Sequence, residues 1–165
     1  HIVPVALSYE YDPCDFLKAK EMQQKRDSET FKKSQADDLT NMQTGIFGYK
    51  GRVHFQTGPC INEELEALRG LPKTEIFTQV SALIDKHIHR NYRLYPGNYV
   101  ACDLLNGTET FAGKYTPEEK KRFEAYLQKK LDLIQLPNKD EDFLRQRILT
   151  MYANPAINHL KAIAQ

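Results

Sequence analysis

Ile2-Val3-Pro4-Val5-Ala6-Leu7-Ser8-Tyr9 is the stretch on which the reading of this chain turns. It is almost wholly apolar, β-branched at Ile2, Val3 and Val5, and of strand length. A run of this kind suits a strand covered on both faces. Such a strand needs partners along both edges, because unpaired backbone N–H and C=O groups are costly to bury. Asp12-Pro13 ends it. The sequence offers one further convincing strand, Arg52-Val53-His54-Phe55-Gln56, closed by Gly58-Pro59. Its alternation sets Val53 and Phe55 on one face and Arg52 and His54 on the other. Two strands do not cover each other on both sides. The expectation is therefore a partial sheet whose first part, with any chemistry it carried, belongs to polypeptide preceding His1.

Working outward, residues 14–32 are rich in lysine and glutamine with weak periodicity and read as an excursion containing some helix. A short helix is expected from Ser34 to Thr44, with Leu39 and Met42 inward and Gly45 as its stop. Asn62-Glu63-Glu64 starts another short helix, acidic at its positive end, and Gly70-Leu71-Pro72 closes it. A longer helix spans about Thr74 to Asn91; Ile76, Phe77, Val80, Leu83, Ile84 and Ile88 form a single apolar stripe.

After Tyr95-Pro96-Gly97 only helices follow. Asn98 opens one that ends at Asn106-Gly107. Thr116-Pro117-Glu118-Glu119 is a capping box with proline at the first helical position, and its stripe is Phe123, Tyr126, Leu127, Leu131 and Ile134. A last helix runs from about Asp140 to Ala153, with Leu144, Ile148, Leu149 and Tyr152 inward; Pro155 kinks or restarts it. The fold class expected is an α/β fragment, a small partial sheet of two main strands packed by helices, followed by an all-helical C-terminal extension. The boundary falls near Pro96, giving segments 1–95 and 96–165.

Composition narrows the function classes. Of 165 residues, 27% are charged and nearly balanced, for a formal net charge of +1. No global basic field argues for nucleic acid. No apolar run approaches the roughly 20 residues of a membrane span. Cys14, Cys60 and Cys102 are scattered, without a CxxC pair, and read as reduced thiols. His87 and His89 flank Ile88 and point apart on a regular helix, so they do not chelate one ion together. No HExxH-type spacing indicates a metal site. Cys60 with His54 as a nucleophile and base is the weakest chemistry considered, six residues apart across a Gly-Pro break. Lys120-Lys121-Arg122 falls short of the clusters of four to eight cations that bind anionic lipid.

The pieces in this order resemble the C-terminal part of the glycerolphosphate and 1-acylglycerol-3-phosphate acyltransferase family. Ile2-Val3-Pro4-Val5-Ala6-Leu7 resembles the family's fourth conserved block, a hydrophobic strand with a central proline. Arg52 to Ile61 resembles the following strand and its Gly-x-Pro-Ile type turn, and Phe77 to Ile84 the terminal helix of the catalytic domain. Ser8 to Cys14 and Thr44 to His54 are similar to stretches in a bacterial subgroup of such acyltransferases. The resemblance implies transfer of a fatty acyl group from acyl-CoA or acyl carrier protein to a glycerolipid-type hydroxyl acceptor, with no cofactor and no metal. It implies a substrate role for Val3, Pro4 and Val5 as an apolar wall, while Arg52, beside Lys50 and His54, is the candidate for a phosphate.

The family's Asn-His-x-x-x-x-Asp block, which supplies the general base, has no counterpart here. The residues five places after His1, His54, His87, His89 and His159 are Ala6, Pro59, Tyr92, Leu94 and Ala164. No catalytic residue is therefore assigned, and this chain alone is expected to be inactive. Its parent is expected in the cytoplasm or peripherally on the inner face of the membrane. The exposed strand is expected to promote self-association. The competing reading is a non-enzymatic helical module that binds a protein or lipid partner.

Overall fold

The computed structural model describes residues 1–164. It is mostly helical, with one two-stranded antiparallel sheet near the N-terminus and an all-helical C-terminal part. Strand β1 is Val5–Tyr9 and β2 is Val53–Thr57. Between them lie α1 (Asp15–Asp27) and α2 (Gln35–Phe47); after them come α3 (Asn62–Glu66) and α4 (Lys73–Arg90). Helices α5 (Pro96–Asn106), α6 (Pro117–Asp132) and α7 (Glu141–Ile163) complete the fold.

The core belongs to α1, α5, α6 and α7. Phe123, Leu127 and Leu131 of α6 meet Val100, Ala101 and Cys102 of α5 and Leu144, Ile148 and Ala153 of α7, all nearly solvent-free. The capping box forms as the residues demand: Thr116 N–H donates to Glu119 Oε2 at 2.8 Å, and Glu119 N–H donates to Thr116 Oγ1 at 3.2 Å. Gly107, with φ of 63°, ends α5 in the left-handed conformation. Helix α5 begins at Pro96 rather than at Asn98, whose side chain lies inside its first turn. There Asn98 Oδ1 accepts from Tyr95 N–H at 2.8 Å, and Asn98 Nδ2 donates to Tyr152 O at 2.9 Å.

Several expectations are corrected. Segment 14–32 holds a regular thirteen-residue helix whose Asp15, Ala19 and Gln23 are buried at four-residue steps. The stripe escapes an apolar pattern because two of its members are polar. Gln23 is satisfied by donating to Asn138 O at 2.6 Å and accepting from Asp140 N–H at 3.1 Å. Helix α2 runs through Gly45 to Phe47, and its Leu39 and Met42 point outward, 51% and 57% exposed. Its inner side is instead the small-residue side. Cys14 Sγ approaches Asn41 O at 3.4 Å, and Gly48 leaves no room for a Cβ against Pro13. Helix α7 continues unbroken past Pro155.

Candidate functional site

The sheet pairs Val5 with Thr57, Leu7 with Phe55 and Tyr9 with Val53. Opposed residues share a face, so these six form an outer face and Ala6, Ser8, His54 and Gln56 an inner one. The inner face rests on the chain below it: Ser8 Oγ accepts from Arg93 N–H at 2.9 Å, and α4 packs on β1. The outer face is apolar and open. Val5, Leu7, Val53 and Phe55 are 48%, 39%, 44% and 67% exposed. The strand is thus half-buried, not covered on both faces, which corrects the first expectation. Six apolar residues in a row signal burial, but only the alternation of β1 between buried and exposed positions shows that one side has no partner here.

The edge of β1 is equally informative. Gly58 N–H donates to Pro4 O at 2.8 Å and Glu10 N–H to Arg52 O at 2.9 Å, so the even-numbered residues turn their backbone groups toward β2. Val5, Leu7 and Tyr9 therefore turn theirs away. Among the described residues no hydrogen bond meets them there. A cleft of about 600 Å³, open to solvent, runs along this edge and is walled by Tyr92, Arg93, Asn98, Met151 and Tyr152.

The residues singled out from sequence separate. Val3 and Val5 are both 48% exposed and line the outer side, whereas Pro4 is buried against the inner side. Arg52 is engaged. Its Nε and Nη2 each donate at 3.0 Å to the two carboxylate oxygens of Glu10, and its guanidinium lies 4.9 Å from the Tyr95 ring centroid. That bidentate bond holds the Glu10 carboxyl below its ordinary range and raises Arg52. Lys50 Nζ donates to Ile46 O and Gly48 O at the end of α2, at 3.0 and 3.1 Å. Of the three basic side chains of this strand and its approach, Arg52 and Lys50 are thus both hydrogen-bonded to other groups of the chain.

One buried constellation escaped the sequence reading. Asp15 is solvent-free and takes a hydrogen bond at Oδ2 from Tyr126 Oη at 2.5 Å and from Tyr152 Oη at 2.8 Å. Lys130 Nζ lies 3.1 Å from Oδ1 and donates to Pro13 O at 3.3 Å. Asp12 N–H donates to Tyr152 Oη at 2.9 Å. Burial, reinforced by Asp15, pushes both phenols well above the ordinary tyrosine range, so they stay protonated donors. Asp15, Tyr126, Tyr152 and Lys130 all bond to groups within the protein. These bonds tie the turn after β1 to α6 and α7. Asp15 was hidden because a carboxylate in a lysine-rich stretch reads as surface.

The remaining candidates stay apart. Cys60 is exposed, and no hydrogen bond joins it to His54 among the described residues. His87 is a boundary residue with Nε2 3.4 Å from Glu64 Oε1. Among the described residues, no three His, Cys, Asp or Glu side chains gather as a metal site, and no helix is long and apolar enough to cross a membrane. Comparison with known protein families, curated proteins and solved structures returns no match.

Proposed function

We propose that this chain forms the C-terminal wall of a glycerolipid-type acyltransferase, which moves a fatty acyl group from a thioester donor to a lysophospholipid-type hydroxyl. The open outer face of the sheet is the observation that supports this reading. Val3, Val5, Leu7 and Phe55 present a continuous apolar strip on the strands that resemble the family's fourth block and its successor. A fatty acyl chain has no polar groups to satisfy along its length, and an apolar strip of this kind is the surface it needs. Pro4 keeps the other side of the strand fixed to the fold. Arg52, tied to Glu10, acts in this reading as a brace for the sheet rather than as the phosphate ligand.

The chemistry itself belongs elsewhere in the parent, since no His-x-x-x-x-Asp block occurs in this sequence. A position in the cytoplasm or on the inner membrane surface fits an enzyme handling lysophospholipids. The test has two arms. Acyl-CoA and lysophosphatidate incubated with this chain are expected to give no product, and enzyme-like turnover would refute the division of labour. Sequencing the gene upstream of the His1 codon is expected to show an Asn-His-x-x-x-x-Asp block within one domain length; a reading frame without it ends the acyltransferase reading.

The outward apolar face of α2, where Leu39, Met42, Ile46 and Phe47 are all more than half exposed, favours a second reading as a binding module. The same upstream sequence separates the two.

A further inference from the structure

We infer that the free edge of β1 is a strand-addition site, which takes an extended segment of polypeptide other than this chain's own β1 as a third strand. The N–H and C=O groups of Val5, Leu7 and Tyr9 turn away from β2, and no described residue hydrogen-bonds them; Leu7 and Tyr9 line the cleft beside this edge. Three donor–acceptor pairs at a two-residue repeat match one ligand chemistry well: another extended backbone. Lipid chains and small anions leave most of these groups unmet. Alternate side chains of the added strand would extend the apolar face of Leu7 and Phe55, and the others would face Asn98 and Met151.

A second copy of this chain fits poorly. The edge is recessed, with Tyr92 and Arg93 on one wall and Met151, Tyr152 and Pro155 on another. Two strands recessed in identical clefts do not reach each other, whereas a free extended segment enters. Arg93 is exposed and makes no ion pair among the described residues, while Asp12, the carboxylate in the cleft lining, is already paired with Lys18, so the charge wanted on the incoming strand is a carboxylate. Strand addition at this edge does not depend on the acyl-transfer reading.

The probe is a capped heptapeptide alternating valine and threonine, with a central glutamate in place of one threonine. On binding to the full chain it is expected to slow amide exchange of Val5, Leu7 and Tyr9 selectively. N-methylation of the peptide along its pairing edge should weaken binding about tenfold or more, since it removes the backbone donors. The exposed substitution Arg93→Glu should invert the preference between the glutamate peptide and a lysine counterpart. Equal binding of the N-methylated peptide, or unchanged exchange at the three amides, would overturn the inference. So would a concentration-dependent dimer that protects the same amides without peptide, because that assigns the edge to a second copy.

Discussion

Helices α4 and α6 carry apolar stripes of similar length, and the fold treats them differently. Phe123, Leu127 and Leu131 of α6 are at most 2% exposed, whereas α4 has no buried residue and Phe77 is 63% exposed. The same contrast divides the molecule. Around α5 to α7, joined by α1, the stripes face one another in a buried core; α2 and the outer face of the sheet turn apolar residues to solvent, and the stripe of α4 is only half-buried where it meets α7 and β1. An amphipathic pattern records that a face is meant for burial, but not that the burying partner lies among the residues in view.

The sharpest way to break the contrast is to remove core volume. Leu127→Ala or Ile148→Ala should cost about 2–5 kcal/mol in urea unfolding, because rigid neighbours leave a cavity. A loss below about 1 kcal/mol would mean that the helical core is no better packed than the sheet. Asp15→Ala comes next, at about 3 kcal/mol, since it strands the Lys130 ammonium and two buried phenols. Tyr126→Phe, which leaves Tyr152 to serve the carboxylate, should cost about 1 kcal/mol.

On the other side of the comparison, Glu10→Gln should cost no more than about 1 kcal/mol, because Arg52 is largely exposed and solvent screens the pair. Its sign against pH is determined by the lowered carboxyl. The stabilisation is complete above the ordinary value of 4.5 and fades as pH falls through the lower native value. Wild type and E10Q should therefore converge in acid; a gap that widens there would contradict the assignment. Smallest of all, Phe55→Ser should move stability by under about 0.5 kcal/mol while reducing binding of an apolar fluorescent dye. A large loss would show that the outer face is covered after all.

How much was legible depended on whether a signal was local. The box Thr116-Pro117-Glu118-Glu119, the Asn106-Gly107 stop and the stripe of α6 were readable because capping and periodicity are settled within one or two turns. The alternation of Val53 and Phe55 was readable for the same reason. Leu39 and Met42 face outward against their pattern, because apolar periodicity names a face without naming a direction. Asp15 and Gln23 carry no local signal of burial, since their partners lie more than a hundred residues away. Pro155 signals a kink or a restart, and of the two the restart does not occur: α7 runs through it, held on one side by α5.

By itself, the sequence determined the order of most strands and helices, the capping box at Thr116 and the glycine stop at Gly107, and that no His-x-x-x-x-Asp block occurs among these residues. Those properties depend on neighbours within a few positions. The tertiary structure alone decided that α1 joins the helical core, that Arg52 is spent on Glu10, and that one face and one edge of the sheet stay open. Each of these is a matter of which distant groups meet, and the energies that settle it, desolvation and hydrogen-bond pairing, exist only once the chain has folded.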